Sequence, residues 1–133
     1  MRLRFGLLAE YASLDSDGKI SANGIYDILF ATSFPILCPT AYLVLSIEGT
    51  LTEEGKHKIS VELWDEQANK LQEITQAIEI GKMKIKINMV RADIVLKFQG
   101  LIFTKPGAYE FVIFGDKRFL GRIIFYIKKP LEV

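Results

Sequence analysis

PGAYEFVIFGDKRFLGRIIFYIK, residues 106–128, reads as two strands joined by a tight turn. Tyr109, Phe111 and Ile113 recur at every second position, and Ile123, Phe125 and Ile127 do the same beyond Gly115-Asp116. A period of two is the strand period, because successive side chains point to opposite faces. Two strands, about 108–115 and 118–128, are therefore expected to close the chain as a hairpin. The alternate positions hold Val112 and Phe114 on one strand and Ile124 and Tyr126 on the other. A strand apolar on both faces is either covered on both sides or meets a partner. Val112, Phe114, Ile124 and Tyr126 are accordingly the candidate interaction residues. The competing expectation is that the segment Ala31 to Thr40 lies over them, and the sequence leaves both open.

Outward from the hairpin the same period recurs. Leu3, Phe5 and Leu7; Ile59, Val61 and Leu63; Ile85, Ile87 and Met89; and Ile94, Leu96 and Phe98 each mark one buried face. Turn-forming residues stand between the runs at Asp15-Ser16-Asp17-Gly18, Glu53-Glu54-Gly55 and Lys105-Pro106-Gly107. Asn23-Gly24 falls inside a strand-like stretch and predicts a bulge or tight bend. Gln67 to Ile78 is the sole helical candidate, and its Ile74-Thr75 pair suits a strand as well. Ala31 to Thr40 carries Pro35 and Pro39, which argues against a central strand and for a connection crossing between sheets. The expected fold is all-β, a two-layer antiparallel sandwich of about seven to nine strands, in one domain spanning residues 1–133.

Pro106-Gly107-Ala108-Tyr109-Glu110-Phe111 is similar to the tyrosine corner that opens the penultimate strand of immunoglobulin-type sandwiches. An immunoglobulin-like sandwich is expected ahead of a jelly roll. Phe111 stands where antibody domains hold a cysteine, so a true antibody domain is not expected. Three segments extend the likeness: Gly6-Leu7-Leu8-Ala9-Glu10-Tyr11-Ala12; Gly18-Lys19-Ile20 through Gly24-Ile25-Tyr26-Asp27 with Ser33-Phe34-Pro35; and the corner with its closing strand. On these the chain resembles an uncharacterised prokaryotic family of small β-sandwich proteins, a domain of unknown function. The resemblance implies this fold and a cytoplasmic setting. It implies no activity, cofactor or catalytic residue.

Composition narrows the classes. Half the 133 residues are apolar, enough for a sizeable core and too many for a disordered chain. One cysteine, Cys38, allows no internal disulfide and no multi-thiolate zinc site, which fits a reducing compartment. The apolar run Phe5 to Ala9 is too short for a signal peptide, and none approaches a membrane span. A soluble cytoplasmic protein is expected. Net charge is +1, yet residues 1–80 carry six Lys/Arg against twelve Asp/Glu, and residues 81–133 eleven against four. Interleaving of the two halves in a sandwich would even out that imbalance.

Chemistry finds little purchase. The single histidine, His57, sits between Lys56 and Lys58, which predicts an exposed ring that resists protonation. Cys38, between Leu37 and Pro39, predicts a buried and inert thiol. Asp15-Ser16-Asp17-Gly18 has the opening of a calcium loop without its later ligands, so a plain turn is expected. No phosphate-binding glycine loop is present. No catalytic residue, metal or cofactor is therefore assigned. Lys82, Lys84 and Lys86 alternate with Met83, Ile85 and Ile87 and form a basic stripe, with Lys97, Lys117, Arg118 and Arg122 as candidates to extend it. It serves either nucleic acid or the protection of a sheet edge. The function expected first is a non-enzymatic module for a protein partner or a second copy. Nucleic-acid binding through the stripe comes next, then a small ligand or carbohydrate at Trp64.

Overall fold

The computed structural model describes residues 1–81, 83–86 (backbone only) and 88–131. Its described residues form ten strands: β1 (Arg2–Leu14), β2 (Ile20–Tyr26), β3 (Ile28–Phe30), β4 (Ile36–Thr50), β5 (Gly55–Asp65), β6 (Lys70–Ile80), β7 (Met83–Lys86), β8 (Met89–Phe103), β9 (Gly107–Gly115) and β10 (Arg118–Lys128). Ten replace the expected seven to nine because β3 is too short to show a period and the run expected over Ile85, Ile87 and Met89 is divided between β7 and β8, with Ile87 outside the described residues. The strands make two sheets, in the orders β2-β1-β4-β8-β7 (sheet A) and β3-β10-β9-β5-β6 (sheet B). All pairings are antiparallel except β3 with β10, which is parallel. The two sheets pack face to face as an all-β sandwich. Gln67 to Ile78 contributes to a strand, β6, and not to a helix.

The inner faces carry period-two residues, but the expected series Leu3, Phe5 and Leu7 is split: the register shifts between Leu3 and Phe5, so Leu3 joins the inner core while Phe5 and Leu7 pack with Val44 outside sheet A. Leu43, Leu45 and Ile47 of β4 and Leu96 and Phe98 of β8 meet Ile59, Val61 and Leu63 of β5 and Phe111 and Ile113 of β9. Phe98 lies 4.9 Å from Phe111 between ring centres, and Phe111 5.3 Å from Phe125. Phe103 and Tyr109 meet edge to face at 4.8 Å, so one aromatic cluster ties both sheets together. Where β1 crosses β10, Gly6 lets the sheets close up. A Cβ there would meet the end of the Ile123 side chain, which would have to shift to make room.

Two departures from the sequence reading have local causes. Pro39 lies within β4, not in a connection, and the crossing between sheets is confined to residues 31–35. β1 pairs with β4 only from Tyr42 to Glu48, so Pro39 has β8 on one side and an open edge on the other. A missing amide at an open edge breaks no ladder. Opposite Pro39 is Gly100, with φ at +67°. At this rung both strands slip their alternation together, so Ile36 and Cys38 of β4 and Leu101 and Phe103 of β8 turn inward while the register is kept. Gly24 also has positive φ (+67°), but pairs on either side of it stay in register, so no bulge forms there.

The outer faces differ. Beyond Ala9, β1 leaves β4 and continues with β2 alone. Ala12, Ile20 and Ala22 of this hairpin pack with Val44, Tyr42 and Val95 on the outside of sheet A. Leu14 and Gly18 reach Arg91–Ile94 of β8. The chain thus covers part of the outside of sheet A with its own hairpin. Over β9 and β10 on the outside of sheet B no described segment lies. Ala31, Phe34 and Ile36, offered as a possible cover, pack into the inner core instead.

Phe111→Ala should lower the unfolding free energy by about 3–5 kcal/mol, since it empties the centre of the aromatic cluster. Urea denaturation followed by far-UV circular dichroism measures this. Ile124→Ser, on the outer face, should cost under about 1 kcal/mol in the same assay.

Candidate functional site

Val112, Phe114, Ile124 and Tyr126 all lie on the outside of sheet B. The registers fix their neighbours. Ser60, Phe114 and Phe119 form one row across β5, β9 and β10; Glu62, Val112 and Arg122 the next; then Trp64, Glu110 and Ile124; then Ala108 and Tyr126. Ile28 of β3 continues the last row beside Tyr126, with Phe30 beside Lys128. Ile124 keeps 42 % of its surface exposed, Tyr126 41 % and Phe119 62 %. The sequence-predicted residues thus become the centre of a broader apolar face. Trp64, which sequence reasoning placed in a separate ligand-binding hypothesis, belongs to the same surface.

Trp64 is set by the regular alternation of β5, which places it on the same face as Ser60 and Glu62, and the β5–β9 register runs through it unchanged. The irregularity between β5 and β6 lies on β6, where Leu71 is the extra residue. Trp64 Nε1 donates to Glu62 Oε1 at 3.1 Å, which holds the indole on the sheet. Glu62, Trp64, Glu66, Ala108, Glu110, Val112, Phe114 and Ile124 line a recess of about 510 Å³ together with the β5–β6 turn. Its lining mixes apolar and acidic side chains, with Glu110 between Trp64 and Ile124 in their row. Glu62 faces Lys70 at 3.8 Å and Glu110 faces Arg122 at 3.6 Å, both loose, solvent-facing pairs.

The other predicted positions scatter. Lys82 lies outside the described residues; Lys84 and Lys86 belong to β7, the edge strand of sheet A. Lys97 stands 5.9 Å over the Tyr42 ring on sheet A, Lys117 is in the β9–β10 turn, and Arg122 is on the outside of sheet B. Lys97 and Arg122 therefore stand on different sheets. Cys38 is half buried against the core, and burial pushes its thiol up from the ordinary value. Asp15 Oδ1 accepts the amides of Asp17 and Lys19, each at 2.8 Å, as a turn-stabilising aspartate does. Among the described residues, no three His, Cys, Asp or Glu side chains converge as metal ligands. Among them also, no helix is long and apolar enough to cross a membrane.

Fold and surface together define a two-sheet β-sandwich protein with an open apolar outer face. The chain belongs to a family of unknown function, DUF6941, whose model matches residues 4–128. No curated protein matches it.

His57 differs from its sequence reading. Strand alternation sends Lys56 and Lys58 to the opposite face of β5, and the ring, 15 % exposed, turns to the β9–β10 turn. Its Nδ1 donates to Asp116 Oδ2 and its Nε2 to the Glu53 carbonyl, both at 2.5 Å. Two acceptors favour the doubly protonated ring, so the bond to Asp116 raises the His57 pKa above 6.5. The same bond, helped by the Lys58 amide at 2.9 Å, holds Asp116 below 3.8. A raised histidine stabilises the fold below its unfolded pKa and loses that effect as pH rises through the folded one; a lowered aspartate loses its effect as pH falls. The clamp therefore acts fully between about pH 4 and 6.5. The melting temperature of His57→Gln should fall furthest below the parent near pH 5.5, and the gap should narrow toward pH 9. An equal gap at both pH values rules out a charged His57–Asp116 pair.

Proposed function

We propose that the protein is a non-enzymatic interaction module that docks a protein partner through the outside of sheet B. The observation that carries this reading is the group of apolar residues Trp64, Val112, Phe114, Ile124 and Tyr126 on one outer face of β5, β9 and β10, with Glu62, Glu110 and Arg122 set among them. Exposed contiguous apolar patches rimmed by polar groups are characteristic of protein interfaces, where aromatic residues supply much of the binding energy. The contrast with sheet A adds weight, since there the chain's own hairpin packs on the outer face.

Two features support an immunoglobulin-type arrangement of the sandwich over a jelly roll. Tyr109 Oη donates to the Lys105 carbonyl at 2.6 Å, the bond of a tyrosine corner. The short β3 runs parallel beside β10, so the first part of the chain contributes to both sheets. A cytoplasmic setting fits the single half-buried thiol and the lack of any disulfide among the described residues.

The test compares partner recovery by the parent with that by Phe114→Asp and Ile124→Asp on sheet B. Leu37→Asp, whose side chain is 60 % exposed at the far end of β4, serves as the control. Extracts of the source organism are used with and without nuclease, and sedimentation velocity follows self-association. The expected result is a nuclease-resistant partner held by the parent and the control and lost, by tenfold or more, in both sheet B variants with unchanged circular dichroism. Equal recovery by all folded variants overturns the reading. Recovery that depends on nuclease-sensitive nucleic acid does so as well, and moves attention to Lys82, Lys84 and Lys86.

A further inference from the structure

Resting on that reading, we infer that the recess beside Trp64 receives an arginine side chain of the partner, seated on the indole between Glu62 and Glu110. The apolar face alone would accept many partners; the chemistry at this end of it is narrower. The lining holds four carboxylates, Glu62, Asp65, Glu66 and Glu110, and among the described residues no lysine or arginine. An apolar segment carrying a cation complements such a groove, and an acidic or wholly apolar one does not.

The four carboxylates are not equally available. Asp65 is occupied by its own turn, where it accepts the amides of Gln67 and Asn69 at 2.9 Å and the Asn69 side chain at 3.0 Å. Glu66 leans on the Ala108 amide at 3.4 Å. Glu110 and the second oxygen of Glu62 remain, the first oxygen of Glu62 accepting Trp64 Nε1 at 3.1 Å; the strand register places the two residues as diagonal neighbours on the same face, with Trp64 directly across from Glu110. Their present cations are loosely held: the Lys70 and Arg122 side chains keep 41 % and 61 % of their surface exposed. Neither cation lines the recess, so an incoming guanidinium would exchange with them without a core rearrangement. Arginine fits better than lysine because its planar guanidinium both stacks on an aromatic ring and donates in two directions to carboxylates.

Trp64 is the chain's one tryptophan, so its emission reports on this recess alone. The probe is N-acetyl-arginine-N-methylamide, with the neutral citrulline and the lysine analogues as comparisons, at low and high salt. A saturable change in emission with arginine, weaker with lysine, absent with citrulline and lost at high salt is expected. Glu110→Gln and Glu62→Gln should each weaken it on the order of tenfold. Equal responses to arginine and citrulline, or no effect of either substitution, overturn the inference. The same two variants in the partner-recovery assay separate it from the docking reading. Partner retained by both glutamine variants but lost in Phe114→Asp leaves docking intact and removes the arginine. Partner lost in neither set removes both.

Discussion

A β-strand has two faces, and this chain supplies apolar side chains for both faces of β9 and β10 while having one opposing sheet to place against them. Tyr109, Phe111, Ile113, Phe125 and Ile127 take the inside, where they form the aromatic cluster that ties the sheets together. Val112, Phe114, Ile124 and Tyr126 are then left on the outside by the period of the strand itself. A one-residue slip would exchange the two sets, but it would also move Glu110 and Arg122 into the core. The charged residues thus fix which face is inside, although both faces are apolar.

That constraint makes the outside of sheet B informative. Sheet A has the same problem: Leu37 and Ile102 at its far end stay exposed, while at Val44 and Val95 the β1–β2 hairpin packs on the outer face. No described segment does this for sheet B. Exposed aromatic and aliphatic groups in adjacent rows lower solubility unless something covers them part of the time, which is the ground for the docking proposed above. On that proposal, the carboxylates around Trp64 select among partners more than they add attraction.

Much of this was legible from residues alone. The closing hairpin, its two apolar faces and the Tyr109 corner follow from spacing within 23 consecutive residues, because strand period and turn chemistry are local. The neighbours of that face were not legible, since Trp64 lies 46 positions before Glu110 and joins it only through the β5–β9 register. Pro39 misled for a related reason: a proline forbids a ladder on one side of a strand only, and the sequence does not say that β1 stops short of it. His57 misled because its chain neighbours, Lys56 and Lys58, are not its neighbours in space, whereas Asp116, 59 positions away, is.

The most direct test of an outer face that docks a protein is photo-crosslinking in living cells of the source organism. The photoreactive residue p-benzoylphenylalanine replaces Ile124 on sheet B in one experiment and Ile102, 59 % exposed on the other sheet, in a second. A discrete protein adduct from position 124 and none of the same mass from position 102 is the expected result. Position 124 left without an adduct in a folded, expressed protein, or the same adducts from both positions, contradicts it.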